Sequence, residues 1–239
     1  KKELSYRRLI EQLKILYPSF NPVWFNCDFE TSIITVVQFF FPHCRMGLCY
    51  YHFHQSVFRR IQELGWQRRY SADENFALEC RMAAPLPFLP PGDVLEGFEM
   101  LEDSLEIPEL LLYLEEYYVG RRRGRRQMRE NPSYAIEHWN VFDCTMNGLA
   151  RTNDASEGFN NTCAGSLPGQ HPTLYRFLSQ MQREESLCRL KVFEAMQGED
   201  RLKKKVYVKH ERRLRNLVGS YDPTKKLEYL RSLAHNITL

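Results

Sequence analysis

Val23-Trp24-Phe25-Asn26-Cys27-Asp28 is followed by the apolar stretch from Thr31 to Phe41, and then by Met46-Gly47-Leu48-Cys49-Tyr50. The first run is short, bulky and β-prone, which predicts a buried strand over 23–27 ending at Asp28. Thr31 to Phe41 reads as a helix closed by Pro42, and 46–50 as a second strand. A further helix then runs to Leu64, where Gly65 supplies a left-handed stop. Upstream, Leu4, Leu9, Ile10, Leu13 and Leu16 fall at helical spacing, so residues 3–17 form an amphipathic helix broken by Pro18, Asn21 and Pro22. Strand, helix, strand, helix is the grammar of an α/β layer.

After Tyr70 the character changes. Residues 73–84 read as helical, Pro85, Pro87, Pro90 and Pro91 as a rigid link, 93–101 as a helix capped by Asp93, and 108–119 as another opened by Pro108. No strand is expected in this block. The arginine-rich segment 121–129 is expected to close it as an exposed loop. The core resumes near Trp139-Asn140-Val141-Phe142, and a helix capped from among Thr152, Asn153 and Asp154 carries Glu157. Gly165, Pro168 and Gly169 predict a turn, Pro172 opens a long helix to Ala195, 201–218 is helical, and Asp222-Pro223 restarts a short helix. The expected fold class is α/β but predominantly helical. The expected divisions are a core over 1–70, a helical insertion over 71–130, a second core part over 131–195 and a helical extension over 196–239.

The 239 residues are enough for one large domain or two small ones. No run of about 18 apolar residues occurs, which argues against a membrane span. Seven irregularly spaced cysteines fit a reducing compartment better than a disulfide framework. Net charge is only +3, but it is segregated. Met82 to Gly120 holds nine acids and no Lys or Arg, and then come Arg121, Arg122, Arg123, Arg125 and Arg126. Such a basic block binds phosphates without sequence specificity, or else it is a solvated loop. Arg151 is a further candidate phosphate contact, or a salt-bridge partner.

Two acids stand out for metal chemistry. Two-metal phosphoryl transfer needs convergent hard oxygen ligands, and Asp28 at a strand end with Glu157 on a distant helix supplies two. Cys49 and His52 have the spacing of a zinc half-site, which His138 and Cys144, or His54, would complete. The other reading is a buried cysteine and a histidine bonded to backbone. Glu30 suits the N-terminus of the following helix.

Asp28-Phe29-Glu30 after an apolar strand, with Gly47-Leu48-Cys49-Tyr50-Tyr51-His52-Phe53-His54-Gln55, resembles the core of the Mutator-like element (MULE) transposases. Leu89-Pro90 with Val94 and Phe98, then Tyr113-Leu114-Glu115, is similar to that family's helical insertion. Trp139-Asn140-Val141, Arg151-Thr152-Asn153 and Glu157-Gly158-Phe159-Asn160 are similar to its C-terminal part, especially in animal members. The resemblance covers roughly residues 3–185. It implies a ribonuclease H-like fold with an Asp-Asp-Glu triad, in which Asp28 matches the second Asp and Glu157 the Glu, both holding Mg²⁺ or Mn²⁺. The first Asp is expected upstream of Lys1, so this chain alone is expected not to cleave strands. Cys49 and His52 match the family's Cys-x-x-His signature, with Zn²⁺ a candidate ligand. The implied partners are DNA and a second copy on paired DNA ends, and the implied location is the nucleus. The alternative is a domesticated transposase-derived protein that binds DNA or chromatin without catalysis.

Overall fold

The computed structural model describes residues 2–123, 128–166, 172–198 and 205–237. The elements in chain order are α1 (Glu3–Leu16), β1 (Trp24–Cys27), α2 (Thr31–Phe40), β2 (Arg45–Leu48), α3 (Tyr50–Glu63), α4 (Gln67–Ala72), α5 (Glu74–Met82), α6 (Val94–Ser104), α7 (Pro108–Leu114), β3 (Arg122–Arg123), β4 (Met128–Arg129), α8 (Ile136–Trp139), α9 (Phe142–Met146), α10 (Asp154–Ser166), α11 (Leu174–Met196), α12 (Lys205–Gly219) and α13 (Lys226–Ala234). The protein is predominantly helical, with one small parallel sheet. No described helix is long and apolar enough to cross a membrane.

The chain divides into two compact units, one of residues 1–152 with 212–239 and one of 153–211. This differs from the four consecutive segments expected from sequence, because the last residues return to the first unit.

In the first unit β1 and β2 pair in parallel, Trp24 opposite Arg45 and Cys27 opposite Leu48. Parallel neighbours need a crossover, and α2 provides it. Cys49 N–H donates to Cys27 O at 2.9 Å and carries the ladder one step further. Gly47 permits a close approach: a Cβ there would lie 2.6 Å from the Trp24 ring. α3 buries Phe53, Val57 and Ile61, one stripe at intervals of four, and ends at Gly65 with φ +73°.

The helical block packs on this layer through aromatic contacts. Phe53 stacks on Trp139 with ring centroids 5.5 Å apart, and Tyr50 meets Phe88 edge-on at 4.9 Å. Trp139 is fully buried, and Asn140 bridges the Leu89 carbonyl (2.7 Å) and the Phe142 N–H (3.0 Å). That double role accounts for the Trp-Asn-Val run.

Four expectations change here. Segment 121–129 is not an open loop but a hairpin: Arg122 pairs with Arg129 and Arg123 with Met128, antiparallel. The block read as strandless therefore ends in a short ribbon, while Arg125 and Arg126 lie outside the described residues. Asp93 precedes α6 but caps nothing with its side chain. Its carboxylate instead accepts from the Tyr221 hydroxyl at 2.7 Å and lies 3.4 Å from Lys226 Nζ. The 196–239 extension, read as a division of its own, is helical but from 212 onward belongs to the first unit, where α13 packs on α5 and α6. Lys226 Nζ reaches Glu96 at 2.9 Å, and Tyr229 donates to the Phe88 carbonyl at 2.7 Å. Gly165 lies inside α10 rather than in a turn; Pro168 and Gly169 lie outside the described residues.

The second unit contains α10, α11 and the start of α12. α10 packs on α11. Along α11, Leu174, Tyr175, Phe193 and Met196 are exposed, whereas Glu184 is buried and accepts from Gln180 Nε2 at 2.8 Å.

Candidate metal centre

Parallel pairing brings the C-terminal ends of β1 and β2 to one edge. Asp28 leaves the end of β1, and α3 begins directly after β2, so the first turn of α3 opens at the same edge. His52 lies in that turn, and its Nδ1 is 3.2 Å from Asp28 Oδ1. Asp28 is exposed and His52 half-buried. The positive dipole end of α3 favours a carboxylate here. Glu30 stands at the N-cap position of α2, and its Oε2 accepts from the Tyr6 hydroxyl of α1 at 2.9 Å.

The 151–152 segment borders this edge. Asn26 Nδ2 donates to the Thr152 carbonyl at 3.2 Å, and the Tyr50 N–H donates to the Arg151 carbonyl at 2.9 Å. Arg151 is half-buried, and its charge lies close enough to Tyr50 and Cys144 to favour their ionised forms. Burial outweighs it and pushes both groups up.

In the second unit Glu157 occupies the first turn of α10. Its N–H and that of Ser156 donate to the Asn153 carbonyl at 3.1 and 2.8 Å, so Asn153 opens the helix. Asp154 and Glu157 together place two acids at the favourable end of the helix dipole.

The zinc set expected from sequence does not assemble. Cys49, His138 and Cys144 are not gathered with His52 into a group of three or more ligand atoms among the described residues. Cys49 is fully buried in the core at the start of α3, whereas His52, one turn later, turns to Asp28. His138 lies against α2, its Nε2 3.4 Å from Gln38 Nε2, and burial lowers its pKa. Burial likewise pushes the Cys144 thiol up. Next to Asp28, burial, then Asp28, Glu30 and Cys49, push the Cys27 thiol up to about 12, so it stays protonated.

The described arginines of 121–123 all meet carboxylates. Arg121 reaches Glu116 at 2.9 Å, Arg122 reaches Glu102 at 3.0 Å and Glu99 at 3.1 Å, and Arg123 pairs with Glu130. Arg129, only 9% exposed, binds Glu115 at 2.8 Å and Glu99 at 3.1 Å. The acidic helices and the arginine hairpin therefore neutralise each other.

Sequence reasoning treated His52 as purely structural and missed its place beside Asp28. The signal was present, since two parallel strands share an edge and a residue in the first turn after β2 must come to the end of β1. No protein-family model, curated protein or solved structure matches the chain.

Proposed function

We propose that this chain is part of a MULE-type transposase with a ribonuclease H-like core, in which Asp28, His52 and Glu157 hold a divalent cation. Each of the three offers one ligand atom. The observation that carries the reading is Asp28 at the carboxyl end of a parallel strand with an imidazole 3.2 Å away. That end of an α/β sheet is where ligands of such folds collect. Connectivity adds support: Thr152 is bonded to β1, and Glu157 follows it by five residues in the chain.

The donor set is two carboxylates and an imidazole. Hard oxygens suit Mg²⁺ and Mn²⁺, and the imidazole moves the preference toward Mn²⁺ and Zn²⁺. Such an ion, when bound, supplies an activated water or 3′ hydroxyl and charge neutralisation at a phosphodiester. Asp28 contributes negative charge at the α3 N-terminus. His52 keeps Nδ1 toward the carboxylate, and the carbonyls of Arg151 and Thr152 accept hydrogen bonds from Tyr50 and Asn26 at the same edge. DNA is the proposed substrate, in a nuclear setting, with two copies bringing two ends together. Phosphates approaching Arg121, Arg122 and Arg123 have to compete with Glu116, Glu102 and Glu130, so these arginines add little to DNA affinity.

The test is Mn²⁺ titration of the purified chain, with free Mn²⁺ followed by electron paramagnetic resonance. One site per chain is expected. Asp28→Asn and Glu157→Gln should each weaken it at least about ten-fold, and His52→Gln should weaken Zn²⁺ more than Mn²⁺. Unchanged Mn²⁺ affinity in Glu157→Gln would remove that residue from the site and the triad assignment with it.

A further inference from the structure

The first unit also holds a cavity whose lining includes Phe29, the residue after Asp28. Residues 115–119 continue α7 as a π-helical turn, in which Gly120 N–H donates to Glu115 O at 2.7 Å. Such turns are rare and concentrate at functional sites. Here the geometry has a definite effect. In an α-helix, residues i and i+5 lie about 140° apart at 3.6 residues per turn. The wider turn brings Tyr118 back beside Tyr113, with ring centroids 6.0 Å apart, while Tyr117 stays 5.1 Å from Tyr113. Tyr134 joins from the following segment, 5.9 Å from Tyr118.

These four tyrosines line an open cavity of about 980 Å³, at the upper end of the usual range for small-ligand sites. Two of the rings are locked by their hydroxyls. Tyr118 shares a hydrogen bond with Ser56 Oγ at 2.8 Å, and Tyr134 donates to the Phe29 carbonyl at 3.0 Å. The charged lining is three arginines and four glutamates, and the fourth glutamate, Glu115, is held by Arg129 at 2.8 Å. The arginines are already committed: Arg60 to Glu63 at 3.3 Å, Arg121 to Glu116 and Arg122 to Glu102. An anion therefore finds no uncommitted positive charge in the lining. The rings already attract one cation, since the Arg60 guanidinium carbon stands 5.7 Å from the Tyr113 centroid.

We infer that this tyrosine-lined cavity binds an alkylated ammonium group, its positive charge held by the ring faces. Recognition of this kind uses the electrostatic attraction of aromatic faces for a weakly hydrated cation. The group can arrive on a small molecule or on a peptide side chain, and the measurement separates the two.

The experiment is isothermal titration calorimetry of the purified chain with choline, with its neutral isostere 3,3-dimethylbutanol, and with a short peptide carrying trimethyl-lysine. Choline or the peptide should bind saturably, and the tighter of the two identifies the source. The neutral isostere should bind at least ten-fold more weakly. Tyr117 is 39% exposed, so its replacement leaves the core in place. Tyr117→Leu should weaken binding at least ten-fold, and Tyr117→Phe, which keeps a ring, should retain most of it. The inference is overturned if neither cation binds, if the isostere binds equally, if Tyr117→Leu binds like the parent, or if adenosine monophosphate displaces the cation.

Discussion

The arginine hairpin and the β1 edge both bring charge together, but in different ways. In the hairpin, every described arginine meets a carboxylate of the acidic helices or of the ribbon itself, and Arg129 is nearly enclosed. Guanidinium groups matched to carboxylates make the cluster a clasp. At the β1 edge an exposed carboxylate meets an imidazole, whose nitrogen can ligate a metal. Complementary charge builds structure, whereas a carboxylate beside an imidazole forms part of a ligand set. The described arginines of the basic block are exposed yet each already paired with a carboxylate, and only Arg129 is nearly enclosed.

The contrast can be broken most forcefully at Arg129. Arg129→Met leaves Glu115, 12% exposed, without its main partner, and a buried pair broken on one side costs roughly 3 kcal/mol. Thermal unfolding should show a melting temperature lower by roughly 6–12 °C for a chain of this size. An unchanged midpoint would mean that the clasp is decorative. The edge responds more gently. Asn26→Ala removes the bond to the Thr152 carbonyl, a loss of about 1 kcal/mol. Hydrogen exchange should quicken at the Tyr50 amide, which is bonded to the neighbouring Arg151 carbonyl. Protection identical to the parent would show that 151–152 is held by something else. The smallest effect belongs to Arg123, whose side chain is 79% exposed against a Glu130 at 40%. Arg123→Ala should change stability by less than about 1 kcal/mol in a denaturant titration. A larger loss would move Arg123 into the same class as Arg129.

Local signals carried the first third of the fold. The apolar run before Asp28, the helix closed at Pro42 and the stop at Gly65 are each decided by neighbours in sequence, and each element forms close to its expected bounds. The hairpin was not legible, because Arg-Arg-Arg-Gly-Arg-Arg has no alternating pattern. Its partners, Glu99, Glu102 and Glu115, lie on helices formed earlier in the chain. Docking of α13 escaped for the same reason: Lys226 and Glu96 are separated by 130 positions, so no local window contains both. The π-turn at 115–119 contains no helix-breaking residue that would mark it in the sequence. At the candidate site, Asp28 and Glu157 could be picked out by their flanking residues. The place of His52 required strand pairing to be reasoned through, and the zinc grouping failed because burial directs Cys49 and His52 to opposite environments.

α13 closes on α5 and α6 although residues 153–211 intervene in the chain. The first unit is therefore discontinuous, and its halves are joined by packing as well as by peptide bonds. A single cut within 153–211 would sever the backbone yet leave Tyr229 on Phe88 and Lys226 on Glu96, so the two fragments should copurify as one folded body.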